Sequence, residues 1–204
     1  MPRPRTPILS TERIADAAME LVDEGAPFGV NAIARRLGVT ASSLYNHVAG
    51  RDEIIELMRG RLGERYMSAT ITGTWDEVVE ATLRAERRMY ADHAFLIPLI
   101  VGTTITDPTV IASYDRLATT LADAGFPDED VLEVVAIIDA FSIGFGLDLA
   151  SPDDVWRPET ATKTLGRLVE TGDRGRPRSD RAFESGVELL LDGLRLRLAR
   201  YELD

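Results

Sequence analysis

Between residues 11 and 62 the apolar positions recur at helical spacing in four successive blocks. Ile14, Ala17, Ala18, Leu21 and Val22 make the first stripe, opened by Ser10 or Thr11 and closed at Gly25. Val30, Ile33, Ala34 and Leu37 make a second, shorter one at i, i+3, i+4 and i+7. Gly38 follows at once, where a left-handed helix stop needs a residue without Cβ. Thr40 can cap a third helix, in which Ala41, Leu44 and Val48 share one face. Arg51-Asp52-Glu53 opens a longer helix with Ile54, Ile55, Met58 and Leu62 on one side, and Gly60 and Gly63 predict a bend within it.

Beyond residue 66 the pattern stays helical. Thr74-Trp75-Asp76-Glu77 reads as a capping box ahead of Val78, Val79, Leu83 and Tyr90. HAFLIPLIV, from His93 to Val101, is apolar and broken by Pro98. Asp107-Pro108 caps a helix with Ile111, Tyr114, Leu117, Ala118 and Leu121 on one face, ending at Ala124-Gly125. Pro127 to Leu149 and Asp180 to Leu203 are the remaining long helices. Between them, Ala150 to Ser179 is rich in Pro and Gly; a helical turn or two is expected within Thr160 to Val169, and loop over Asp173 to Arg178. No strand alternation and no internal repeat occur, so the fold class is all-α.

Composition narrows the function. The chain has no cysteine, hence no disulfide, thiolate nucleophile or Cys-based zinc site. Two histidines without an HExxH spacing, and no Gly-rich phosphate loop, argue against an enzyme. No apolar run is long enough for a membrane span, the start MPRPRTP has no signal-peptide core, and a cytoplasmic protein is expected. The net charge of −11 is unevenly spread: residues 1–65 hold nine basic and nine acidic side chains, so the remainder carries all of it. A neutral head on an acidic body permits DNA binding without arguing for it. Pro2, Arg3, Pro4 and Arg5 form a short basic arm suited to a minor groove.

The second and third blocks, joined by a Gly-containing turn, predict a helix-turn-helix whose second helix enters a major groove. Ser42, Ser43, Tyr45 and Asn46 then point outward. Tyr45 is expected on a phosphate or base edge and Ser42 and Ser43 at the groove. His47 and Arg51 fall to the backbone, and Asn31, Thr40 and Ala41 flank the same surface. GVTASSLYNHV followed by AGRDEII resembles the DNA-binding segment of TetR-type transcriptional regulators over Thr11 to Leu57. That resemblance implies a DNA head of residues 1–50 and a ligand-binding and dimerisation body of residues 51–204, linked by the helix that starts at Arg51.

The Pro127–Leu149 helix carries Asp128, Glu129 and Asp130 in its first turn and is apolar almost all round from Val134 onward, so it must be buried on every side. Ala136, Ala140 and Gly144 recur every four residues, a strip another helix can approach closely. The last helix has a seam including Val187, Leu190 and Leu194. Two such helices per subunit predict a four-helix bundle across a two-fold axis, the homodimer that the family implies. AGFPDEDVLEVVAIIDAFSIGFGLDLA resembles the corresponding region of tetracycline repressors. Those hold a magnesium–drug chelate through a histidine before a glycine; here Ile100 and Val101 precede Gly102, so no metal and no cofactor is expected.

Tyr90, His93, Thr103 and Tyr114, joined by Asp139 and Ser142, are polar tips among apolar residues, a mix that suits a mostly apolar cavity for a small-molecule effector. The expected function is a repressor that binds a palindromic double-stranded DNA operator as a homodimer and is released by an apolar effector, with no membrane partner. The alternative is a ligand-binding or protein-interaction dimer without operator binding, which the small side chains of Ala41, Ser42 and Ser43 favour and the set Tyr45, His47 and Arg51 opposes.

Overall fold

A computed structural model describes residues 9–67 and 71–201; the basic arm Pro2–Arg5 lies outside them. All regular structure among these residues is helical. The chain divides into two units, Met1–Ala69 with His93–Asp115, and Thr70–Asp92 with Arg116–Asp204.

In the first unit, α1 (Thr11–Asp23) is capped by Ser10, whose Oγ accepts the Arg13 N–H at 3.3 Å. It ends where Gly25 takes φ 65° and the Ala26 N–H reaches back to the Leu21 carbonyl. The same six-to-one closure ends α2 (Val30–Leu37), with Gly38 at φ 67° and Val39 bonded to Ala34. After α3 (Ala41–Tyr45), α4 (Arg51–Tyr66) packs along α1. Ile14, Ala18, Ile33, Leu44, Ile54, Ile55, Met58 and Leu62 are all but fully buried and form the core.

A 3₁₀ turn (Ala94–Leu96) and the single-turn α6 (Ile97–Ile100) accommodate Pro98 at a helix start, where its missing N–H is not needed. The glycines of α4 do not interrupt it. A Cβ on Gly60 would overlap the Asp107 carboxylate, and one on Gly63 would come within 3.1 Å of Val110. Their lack of a side chain lets the 107–110 backbone approach, in place of the expected bend. On α7 (Pro108–Asp123) the buried apolar positions are Val110, Leu117 and Leu121, and Ile111 is exposed instead of buried.

In the second unit, α5 (Trp75–Asp92) forms half of the expected capping box. The Thr74 N–H donates to Glu77 at 2.8 Å, but the Thr74 hydroxyl turns to Asp76. α5 packs most extensively on α8 (Asp128–Asp148), closely enough that a Cβ on Gly146 would overlap Tyr90. α9 (Lys163–Thr171) buries none of its residues. α10 (Gly175–Tyr201) starts five residues before the expected Asp180. Gly175 adopts φ 53° and donates to the Asp153 carbonyl, and Pro177 occupies the first turn, where no N–H is missed. Gly186 lets α10 cross the Phe141 ring, and Phe141, Phe145 and Phe183 stack with centroids 4.7 to 5.7 Å apart. Arginine–carboxylate pairs tie α10 to its neighbours: Arg84–Glu184, Arg195–Asp76 and Arg178–Asp148, all at 2.6–2.7 Å.

Candidate nucleic-acid interface

The reading surface is built by a cap and two anchors. Thr40 Oγ1 accepts the Ser43 N–H at 3.2 Å, fixing the start of α3, while Leu44 and Val48 are sealed into the core at 0% and 2% exposure. With that face locked, the opposite one has to point out. Ser42, Tyr45, Asn46 and His47 are exposed, Tyr45 at 57%, and Ser43 and Ala41 are half-buried. Thr40 and Asn31 are exposed beside them. Helix α3 is short, and its polar side chains project from a segment whose backbone hydrogen bonds are already made.

Arg51 opens α4, fully outside, with its guanidinium 5.2 Å over the Phe28 ring, so its position is set by an aromatic platform that sequence reasoning did not include. The other arginines of this unit sort into two groups. Arg36 is spent on Glu20 at 3.1 Å and on Glu24, and Arg61 on Asp16 and Glu64 at 3.0 and 2.9 Å. Arg35 is exposed, and its guanidinium makes no hydrogen bond or ion pair among the described residues. Arg35 and Arg51 are thus cations without a carboxylate partner among the described residues; only the charge in VNAIARRL hinted at the first of them. Asp16 and Glu20 of α1, and Glu24 at its cap, are engaged by these pairs.

An ion pair on α4 holds a distant loop. Arg59 and Glu56 meet at 2.8 Å with 12% of each side chain exposed. Arg59 Nη2 donates to the Ile100 carbonyl at 2.7 Å and to the Thr103 hydroxyl at 2.8 Å. Glu56 accepts the backbone N–H groups of Thr106 and Asp107. Burial raises the Glu56 carboxyl, but the Thr106 N–H and Arg59 outweigh it and hold the group below its ordinary value.

Two of the expected effector residues already have partners within this unit. Thr103 is the acceptor of Arg59. His93 is buried, with Nδ1 at 2.9 Å from Asp23 and Nε2 at 3.3 Å from the Tyr66 hydroxyl, so it joins the ends of α1 and α4. Tyr114 is half-buried in this unit. In the second unit Tyr90 is buried against α8 at Gly146, and Ser142 and Asp139 lie beside Glu86, a residue not singled out from sequence. Burial pushes the Glu86 carboxyl up to about 8.

Of the expected interface residues, Ala136, Ala140 and Gly144 lie on an exposed face of α8 together with Leu132 at 73%. Val187 and Leu194 are 3% and 4% exposed and Leu190 is half-buried, because that side of α10 fills this chain's own core. The exposed apolar positions of α10 are Leu189 and Leu196, at 75% and 66%. Among the described residues no group of three or more His, Asp or Glu could hold a metal ion, and no helix is long and apolar enough to cross a membrane.

Comparison with known proteins agrees with this architecture. Residues 68–198 match the family described as tetracyclin repressor-like, C-terminal domain. An HTH-type transcriptional regulator of Saccharopolyspora erythraea is 29% identical over 167 residues, covering 80% of this chain and 69% of that protein. The HTH-type transcriptional repressor DrrR1 of Streptomyces coeruleorubidus is 25% identical over 142 residues, covering 68% of this chain but only 53% of its own length. In fold, apo ActR from Streptomyces coelicolor superposes with a TM-score of 0.81 at 23% identity, over 96% of this chain and 99% of that one. ActR, described as a TetR family protein, has also been solved with actinorhodin bound, and that structure matches with a TM-score of 0.74 at 22% identity, over 93% and 96% of the two chains. With a capped, left-handed-turn helix-turn-helix near its N-terminus and a family match over more than half of its length, the chain belongs to the TetR-type family of transcriptional regulators.

Proposed function

We propose that the protein is a homodimeric repressor that binds two inverted half-sites of a double-stranded DNA operator and releases them when a small molecule binds. The observation that carries this reading is the exposed run from Ser42 to His47, held outward because Leu44 and Val48 are locked inward. Tyr45, Ser42 and Ser43 face the groove in this reading, Asn31, Thr40, Ala41 and Asn46 flank it, and Arg51, Arg35 and His47 take phosphates.

Three further observations support it. The exposed apolar residues Leu132, Ala136, Ala140 and Gly144 on α8, with Leu189 and Leu196 on α10, offer a face for a second copy. The fold is shared with a protein that binds a small molecule, actinorhodin. The Glu56–Arg59 pair fastens α4 to residues 100–107, so an effector that displaces that segment pulls α4 with it. Operator and effector affinities are then coupled reciprocally, typically by about 1–3 kcal/mol. Tyr90, Asp139 and Ser142, all within the second unit, are candidate polar contacts of an otherwise apolar effector.

Selection of bound duplexes from a random-sequence library tests the reading. The expected product is an inverted repeat whose half-site centres lie roughly 34 Å, about one DNA turn, apart. Recovery of no enriched sequence, at low salt and in the absence of effector, refutes operator binding.

A further inference from the structure

The C-terminal half of α5, the end of α8 and the start of α10 line an open cleft of about 490 Å³ within the second unit. Arg84, Arg87, Arg88 and Arg176 line it against the single carboxylate of Asp92, with Leu149 supplying apolar wall. A cationic hollow is unexpected in a chain of net charge −11.

The partners of these arginines show which charge is available. Arg84 is held at the rim between Glu80 and Glu184, at 2.8 and 2.6 Å, and is fully compensated. Arg87 and Arg176 share one carboxylate, that of Asp180, at 2.7 and 3.7 Å. Arg88 is exposed and makes no hydrogen bond or ion pair among the described residues. The Arg87 guanidinium carbon also lies over the Phe183 ring, 4.4 Å from its centroid, and its Nε is buried with no hydrogen-bond partner. A buried guanidinium N–H without an acceptor bears the desolvation cost of a bond it does not make. An oxyanion that enters the cleft meets the unpaired Arg88 charge beside Arg87 and Arg176, and a guanidinium fork matches a carboxylate in two-point geometry.

We propose that this cleft binds a small organic carboxylate, its charged end on Arg88, Arg87 and Arg176 and its apolar part against Leu149. A monoanion is preferred to phosphate, because a second negative charge meets Asp92. The site is built from residues of the second unit alone and is tested without DNA, so its failure and the failure of operator binding are read separately.

Isothermal titration calorimetry on the full chain at matched ionic strength provides the test, with benzoate, 4-phenylbutyrate and decanoate as probes. 4-Phenylbutyramide and inorganic phosphate serve as the uncharged and the purely ionic counterparts. Saturable one-to-one binding of at least one carboxylate is expected, weakened about tenfold or more in Arg88→Ala and in Arg176→Ala. Arg88 has no partner to lose, so circular dichroism of Arg88→Ala should match the parent. Failure of all three carboxylates to saturate overturns the proposal. Equal binding of the amide removes charge recognition, phosphate binding as tight as the best carboxylate removes the assigned ligand class, and unchanged affinity in both variants removes the location.

Discussion

Replacing Glu86 by glutamine tests how the core of the second unit tolerates a carboxyl group. Glu86 lies in α5 with 7% of its surface exposed, and burial, reinforced by nearby Asp139, moves its carboxyl from 4.5 up to about 8. The folded protein therefore keeps a proton that the unfolded chain gives up near pH 4.5. By linkage, the stability this group contributes is whole below pH 4.5, falls as pH rises, and is lost once pH passes about 8. Each pH unit in that window costs about 1.4 kcal/mol, so by pH 7 the parent has lost roughly 3 kcal/mol. Glutamine has nearly the same shape and no proton to lose. Glu86→Gln is expected to exceed the parent's stability by just under about 1 kcal/mol at pH 5 and by roughly 3 kcal/mol at pH 7. Urea unfolding of both proteins at pH 5, 6, 7 and 8 measures this, and all other titrating groups cancel in the difference. A difference that does not grow with pH would falsify the account, and a variant less stable than the parent at pH 7 would mean the charged carboxylate is the native partner of something.

Three other substitutions address the head, the α4 clamp and the interface. Tyr45→Ala removes an exposed side chain, so the melting temperature should hold while operator affinity drops by about 1–3 kcal/mol in mobility-shift titrations; unchanged affinity removes Tyr45 from the reading surface. Arg59→Ala strands Glu56 and frees the Ile100 and Thr103 acceptors, and a loss of about 3 kcal/mol is expected in chemical unfolding, whereas a loss below about 1 kcal/mol means the pair is solvated. Gly144→Leu meets nothing within 4 Å inside the chain, so secondary structure should persist while sedimentation shifts from dimer toward monomer; a variant that stays dimeric places the interface elsewhere.

What could be read in advance was set by neighbours in sequence. The stops at Gly25, Gly38 and Gly125 follow from a positive φ that only the next few residues determine, and each shows the same closing bond from the residue after the glycine. Thr40 caps α3 for the same reason. The periodicity of Ile14 to Val22 and of Val30 to Leu37 locates the helices of the head, and with them the outward face of α3. Contacts between residues far apart in sequence left no such trace. His93 finds Asp23 seventy residues away, and the acceptors of Arg59 are two carbonyls and a hydroxyl supplied by Ile100 and Thr103. A polar residue in an apolar stretch looks the same whether it waits for a ligand or is already satisfied, so the partners of His93 and Thr103 left no trace in the sequence.

The glycines and leucines of the long helices mark the boundary between the two kinds of information. Gly60 and Gly144 have the same lack of side chain and the same helical setting, yet Gly60 faces the Asp107 carboxylate and Gly144 faces nothing. Sequence shows that space has been left and is silent on what fills it. The leucines of α10 divide in the same way. Leu191 and Leu194 are buried while Leu189 and Leu196 are exposed, and a helix this rich in leucine has more than one face that could satisfy a core. The tie is broken from outside the helix. Gly186 places α10 across Phe141, and the Arg84–Glu184 and Arg195–Asp76 pairs fix its rotation from the polar side. Once that rotation is set, Val187, Leu191 and Leu194 must turn inward, and Leu189 and Leu196 are left over, apolar and uncovered. Charged pairs on the polar side of α10 are thus consistent with the rotation that leaves Leu189 and Leu196 exposed.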